Sequence, residues 1–189
     1  MGTTTRILMT GSREFGDRDI ALAGLLSASA LLGVPAGGQS VSLVHGAARG
    51  ADTLCAEIAS GLGWGTEPHP AQWQTHTAQC PASHQGQSTC KMAGHRRNAE
   101  MIATSPELLI AFPTQRQGSG SSRGTWGCAE AGVRAGLPTF IVWGHRLFPW
   151  GEHSAALMRR HLDPFADNPA ALFGLDHSVA LADIHPLPF

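Results

Sequence analysis

Short apolar runs alternate with helical periodicities through residues 1–144, the pattern of βαβ units around a parallel sheet. Arg6–Thr10 (RILMT) predicts a first strand closed by Gly11, and Asp17 or Asp19 is placed to cap a helix carrying Ile20, Leu25, Leu26 and Leu32. Pro35–Gly38 interrupts it, and Val41–His45 (VSLVH) predicts the second strand. Ala51, Leu54, Cys55, Ile58 and Leu62 then recur along one face of a helix. Glu67–His69 is a weak third strand. Residues 70–94 show no period. A helix follows over His95–Thr104, then a fully apolar strand at Leu108–Phe112 (LLIAF), and a Gly/Ser-rich loop to Gly124. Thr125 is expected to cap a helix with Trp126, Ala129 and Val133 inward, and Thr139–Trp143 is expected as the last strand. The fold class expected is therefore α/β, a three-layer Rossmann-like fold with a mostly parallel sheet of about five strands.

From His145 the pattern changes: five His and five Pro fall in the last 45 residues, with one short helix near Ser154–His161. Residues 145–189 are read as a C-terminal extension packed on the domain of residues 1–144, and its dispersed histidines do not form a site. No apolar run approaches the roughly 18 residues of a membrane span, and Met1–Gly11 has no signal-peptide design. A cytoplasmic protein without a membrane partner is expected.

Charge changes the picture only locally. A net charge of −1 excludes a uniformly basic, nucleic-acid-coating surface. Yet the cations are twelve Arg and one Lys (Lys91), and six of those arginines fall in segments expected at one rim of the sheet: Arg13, Arg49, Arg96, Arg97, Arg116 and Arg123. Codon bias accounts for Arg over Lys, not for that clustering. A guanidinium suits phosphate and carboxylate recognition.

In an open parallel sheet the ligand lies beyond the carboxyl ends of the strands, where strand order reverses. Three strand-to-helix segments should meet there: Gly11–Ser12–Arg13–Glu14–Phe15, Gly46–Ala47–Ala48–Arg49–Gly50–Ala51–Asp52, and Gly118 to Thr125. Each combines small residues, which let backbone amides approach an anion, with one Arg. In any single loop, glycines serve equally well as tight turns; three together point to a nucleotide or phosphosugar. Arg96, Arg97 and Asn98, at a helix start, can reach the same crevice. The expected ligand-binding set is Gly11, Ser12, Arg13, Gly46, Ala47, Arg49, Gly50, Asp52, Arg96, Asn98, Gly120, Ser121, Ser122, Arg123, Gly124 and Thr125. Neither a P-loop nor an intact GxGxxG is present. Gly120–Gly124 satisfies G-x-S-x-G, but the nucleophile elbow needs its serine directly after a strand, and residues 113–117 intervene; Ser122 is read as a phosphate-loop residue with a hydrolase alternative. Trp73 could stack a base or pack into the interior.

Residues 70–94 carry His76, Cys80, His84 and Cys90, followed by His95. Two Cys and two or three His could hold a structural zinc, although the spacing lacks a C-x2-C knuckle. Cys80, His84 and Cys90 are the better ligands, with His95 or His76 as the fourth; an open loop with incidental histidines is the competing reading. Cys55 lies on an apolar helix face and reads as core, and Cys128 falls near the expected phosphate loop.

GSREF (11–15), LVHGAARGADTLCAE (43–57), PAQW (70–73), AGHRRNAEM (93–101) and GSSRGTWGCAEAG (120–132), in this order, resemble the YspA/YpsA-related branch of the SLOG superfamily. That superfamily joins the DNA-processing protein DprA to the LOG phosphoribohydrolases, and many relatives are of phage or actinobacterial origin. The resemblance spans about Thr5 to Trp143. It implies a Rossmann-like fold that binds nucleotides or nucleotide-derived ligands. LOG enzymes cleave the N-glycosidic bond of nucleoside 5′-monophosphates with an Arg and a Glu. By resemblance that Arg is Arg97, and Gly124–Thr125 belongs to the phosphate loop, but the Glu position is Cys128. A carboxylate near the ribose would then come from Glu14, Asp52 or Glu130, the last roughly 200° around the helix at ~100° per residue. The catalytic candidates are thus Arg97, Glu130 and Glu14, with no cofactor required for the chemistry. The runner-up functions are a non-catalytic sensor of an ADP-ribose-like or cyclic nucleotide and a DprA-like single-stranded-DNA binder. LOG relatives suggest a homodimer.

Overall fold

The structure is a computed structural model and describes residues 4–78 and 80–162. Its centre is a six-stranded sheet of order β3-β2-β1-β4-β5-β6. The strands are β1 (Thr5–Gly11), β2 (Val41–His45), β3 (Gly65–Pro68), β4 (Leu108–Phe112), β5 (Thr139–Trp143) and β6 (Arg146–Trp150). The first five are parallel and β6 runs antiparallel to β5. β2 and β4 are buried along their whole length because helices cover both faces; β4 (LLIAF) is apolar throughout, whereas β2 (VSLVH) also buries Ser42 and His45.

Period-2 alternation divides the core into two. Ile7, Met9, Leu43, Ile110 and Phe112 point to one face, where they meet Leu25 and Ala28 of α1 (Arg18–Leu31), Cys55 and Ile58 of α2 (Ala51–Gly61), and Met158 of α5 (Glu152–Leu162). Leu8, Val44, Leu109, Ala111 and Ile141 point to the other, against Met101 of α3 (Ala93–Ala103) and Trp126, Cys128 and Ala129 of α4 (Arg123–Arg134). Asp17 caps α1 by accepting the N–H groups of Asp19 and Ile20 at 3.1 and 3.0 Å.

The Rossmann-like expectation holds, with three differences. The sheet has six strands rather than about five. The sixth, with α5, comes from the segment after residue 144, and Thr139–Trp143 is therefore not the last strand. Its RLFPW sequence carries Pro149, which an edge strand tolerates. Third, Thr125 does not cap α4: the helix begins at Arg123, Ser122 is its N-cap in a left-handed conformation, and Thr125 is buried in the first turn. Smaller shifts affect β3, which begins at Gly65, and α3, which begins at Ala93. Residues 163–189 of the extension, with His177 and His185, lie outside the described residues. No helix among the described residues is long and apolar enough to cross a membrane.

Candidate functional site

Strand order reverses between β1 and β4, so the connections leaving these strands diverge to opposite faces and open a crevice. It has a volume of about 700 Å³. β1 contributes Thr10 and Gly11 and the turn Ser12–Arg13–Glu14; the β2–α2 loop contributes Ala48 and α2 Asp52. Trp73, Lys91, Gly94, His95, Arg97 and Asn98 close one wall, and Thr114, Gln115 and Gly120 to Thr125 the other.

Ser12 ties the β1 turn to its neighbours. Its N–H donates to Phe112 O at 2.9 Å, its carbonyl accepts Ala51 N–H at 3.1 Å, and its hydroxyl accepts that of Thr114 at 3.0 Å. Ser122 Oγ in turn accepts the Thr114 N–H at 3.2 Å, linking both walls. The serine of the G-x-S-x-G pattern is thus a loop fastener, and residues 113–121 separate it from the end of β4.

The floor is an internally paired polar cluster. Arg97 Nη1 donates to Gly46 O at 2.5 Å and lies 3.9 Å from Asp52 Oδ2, while Nε donates to Asn98 Oδ1 at 3.0 Å. Asp52 is buried and accepts the Ala48 N–H at 3.2 Å. Burial pushes its carboxyl above the usual range, against the lowering effect of the Ala48 N–H and Arg97. Buried His45 is shifted the other way, down, first by desolvation and then by His69 and Arg97; its Nδ1 accepts the Ala47 N–H at 3.3 Å. A Cβ at Gly46 would stand 1.5 Å from Arg97 Nη1, so glycine there lets the guanidinium reach the loop backbone.

The mouth is solvated. Glu14 pairs with Arg49 at 2.6 Å, both side chains more than 70% exposed (72% and 73%). Arg13 stacks over Trp73 with its guanidinium 5.6 Å from the ring centroid, and Trp73 is an exposed large apolar side chain. α4 points its N-terminus at the crevice without a side-chain cap, leaving its first-turn amides available to an anion. Arg123 stands exposed at that end.

Most of the residues expected to bind ligand do converge: Gly11, Ser12, Arg13, Asp52, Asn98 and Gly120 to Thr125 line the crevice, with Arg97 and Glu14. Gly46, Ala47 and Gly50 do not line it, and Arg49 stands at its mouth, paired with Glu14. Arg96 is turned away, donating to the sulfurs of Cys80 and Cys90 at 3.3 and 3.2 Å and to Thr75 O at 2.6 Å. Arg116 also lies off the lining. Glu130 faces Gln117 at 2.5 Å and Arg134 at 3.7 Å, outside the crevice. Cys128 is buried among the α4 core residues, and burial raises its thiol to about 11. Thr10, Lys91, Gly94, Thr114 and Gln115 were not anticipated; Thr114 and Gln115 directly follow β4, the one signal that marks them.

Of the expected metal ligands, Cys80 and Cys90 do meet, at 3.4 Å between sulfurs, and the histidine beside them is His76. His84 lies in a 3-10 turn (Ala82–His84) outside that group, and His95 lines the crevice.

A doubly wound sheet with its polar crevice at the switch point defines a Rossmann-like α/β protein. Among known proteins, the profile of the YspA, cpYpsA-related SLOG family (YAcAr) matches residues 5–76. The Gene 61 protein of Mycobacterium phage D29 is 34% identical over 138 residues, covering 70% of this chain and 92% of that protein. The chain belongs to the YspA, cpYpsA-related SLOG family. Among solved structures, DNA processing protein A (DprA) from Streptococcus pneumoniae superposes with a TM-score of 0.50 at 15% identity, over 87% of this chain. The chain spans 57% of that structure's length, and the likeness is one of fold. DprA from Helicobacter pylori, described for its single-stranded DNA binding mode, gives a TM-score of 0.47 at 16% identity, over 91% of this chain and 81% of that one.

Proposed function

We propose that the crevice binds a phosphorylated nucleoside or nucleotide-derived small molecule, its phosphate at the α4 N-terminus and its base on Trp73. The observation that carries this reading is the open end of α4: uncapped amides, Gly120 and Ser121, and the Arg123 guanidinium face a crevice whose opposite wall carries an aromatic surface. A volume of about 700 Å³ suits one nucleotide or dinucleotide-sized ligand rather than a tracking polymer. Asn98, whose Oδ1 accepts Arg97 Nε and whose side-chain amide remains to donate, lies between the two ends and is placed to donate to a ribose hydroxyl.

Binding without glycosidic cleavage is the version the carboxylates support. Glu14 is held by Arg49 at the mouth, Glu130 lies outside, and Asp52 is engaged by Ala48 and Arg97. The test is calorimetric titration of the full chain with AMP, NAD and ADP-ribose, followed by chromatography for free base. Binding by at least one of them is expected, weakened about tenfold in Trp73→Ala and in Arg123→Ala, with no base released. Release of free base would replace this reading with hydrolysis. Failure of all three ligands, alongside oligonucleotide binding that falls steeply with salt, would replace it with single-stranded-DNA binding.

A further inference from the structure

Residues 70–92 pose a problem of order: the segment has no periodic apolar face, and its cluster consists of Cys80, Cys90 and Ala93 with only Ala71 and Met92 against them. So small a core does not offset the entropy of ordering more than twenty residues. What the segment does bring together is a donor set. One donor atom each from His76, Cys80 and Cys90 lies within 4.8 Å of the others, and both cysteines are buried and unbridged.

We propose that His76, Cys80 and Cys90 bind a zinc ion, and that this centre fastens residues 70–92 beside the crevice. The sulfurs stand 3.4 Å apart. Two thiolates on a tetrahedral zinc are about 3.8 Å apart at a Zn–S distance near 2.3 Å, whereas a disulfide requires about 2.05 Å. The observed separation is nearer the metal geometry. His76 is set up as a ligand: its Nε2 is 2.9 Å from Gln87 O, while buried Nδ1 has no hydrogen-bond partner. A metal-bound imidazole commonly donates its other N–H to a carbonyl in this manner. Outer partners are also present, since Thr77 N–H donates to Cys80 Sγ at 3.4 Å and Arg96 Nη1 reaches both sulfurs. Thiolate and imidazole donors select zinc over magnesium or calcium, and three protein ligands leave the fourth position to solvent.

The centre acts on the crevice through the backbone. Cys90 N–H donates to Trp73 O at 2.6 Å, so fixing Cys90 fixes the aromatic wall. Arg96 is drawn to the sulfurs, which leaves Arg97 alone to face the floor.

The test uses reduced full-length protein stripped with a chelator, then titrated with Zn(II) against a chromophoric chelator and separately with Co(II). About one equivalent should bind, the cobalt form showing a thiolate charge-transfer band and the intense visible bands of tetrahedral Co(II). Cys80→Ser and Cys90→Ser should each weaken zinc binding at least about 100-fold, and His76→Gln at least about tenfold, while Cys55→Ser, Cys128→Ser and His84→Gln leave it unchanged. Absence of the charge-transfer band, binding retained in the Cys80→Ser/Cys90→Ser double variant, or loss in His84→Gln but not His76→Gln would overturn the proposal. A readout free of variants is proteolysis of wild type. Zinc should slow cleavage within residues 70–92 about tenfold, and equal rates with and without metal would overturn it.

Discussion

The β2–α2 loop, Gly46 to Gly50, and the β4–α4 loop, residues 113–122, have the same ingredients: small residues, an Arg, and a helix at the far end. They end differently. In the first, four backbone groups are taken by the protein itself. Ala47 N–H goes to His45, Ala48 N–H to Asp52, Ala51 N–H to Ser12 O, and Gly46 O accepts Arg97. Neither α2 nor α4 has a side-chain cap, but a Cβ built on Gly118, Gly120 or Gly124 in the second loop meets nothing within 4 Å, whereas one on Gly46 or Gly50 in the first meets protein at under 3 Å. Glycine-rich composition announces close approach to backbone; it does not say whether a side chain or a ligand makes it. The closed loop is the scaffold of the crevice, and the open one is the receptor in the function proposed above.

The largest effect that would test this difference is expected at Gly50. Its φ is +79°, and a Cβ would stand 2.5–2.6 Å from the backbone of Ser12 and Arg13. Neither neighbour is a side chain that could swing aside, unlike Arg97 opposite Gly46. Gly50→Ala should cost at least about 3 kcal/mol in urea denaturation, from left-handed strain plus backbone overlap. A loss below about 1 kcal/mol would show that the closed loop is looser than its contacts imply.

A medium effect is expected from pH, because the closed loop buries His45. Its folded pKa lies below 6.5, so the unfolded chain takes up the proton first as pH falls. Stability should therefore decline on acidification from 6.5 through the lowered folded value, and His45→Gln should remove that decline. Asp52 has the opposite sign: its raised folded pKa makes the native state the better proton acceptor above 3.8, so at lower pH it offsets part of the loss. Thermal denaturation of both proteins from pH 7.5 to 5 measures the difference; parallel curves would mean that His45 is solvated in the native state.

How much of this was legible before the structure follows the same division. β1, β2, β4 and β5 are readable because parallel strands buried on both faces leave short segments dominated by apolar residues, unbroken in β4 and interrupted by Ser42 in β2. β6 was not, since an edge strand containing Pro149 and an exposed Arg146 has no such signature. The three loops were found correctly as neighbours, since strand order brings them together. Their internal hydrogen bonds were invisible, so the closed loop was expected to hold phosphate. Arg96 and Arg97 show the limit most sharply. Adjacent on α3, they face opposite ways, one to the sulfurs and one to Gly46, and an α3 start displaced by two residues in the sequence reading left that orientation undetermined. His76, not His84, stands beside Cys80 and Cys90, because spacing along an aperiodic segment does not fix which side chains fold back together.

The smallest effect on stability is expected in the open loop, and it is the most discriminating. Gly124 sits in the first turn of α4 with ordinary helical geometry and open space where a Cβ would go. Alanine there has better helix propensity and narrows the unfolded ensemble, so Gly124→Ala should leave stability unchanged or raise it by up to about 1 kcal/mol. The same methyl would stand over the amides proposed to hold phosphate. Affinity for a nucleoside phosphate should then fall about tenfold, while that for the unphosphorylated nucleoside stays constant. Titrating both ligands into both proteins separates the outcomes. If phosphate and nucleoside weaken together, the methyl has reshaped the crevice; if neither changes, the phosphate is not at α4. Loss confined to the phosphorylated ligand, in a protein at least as stable as wild type, is the result that separates receptor from scaffold.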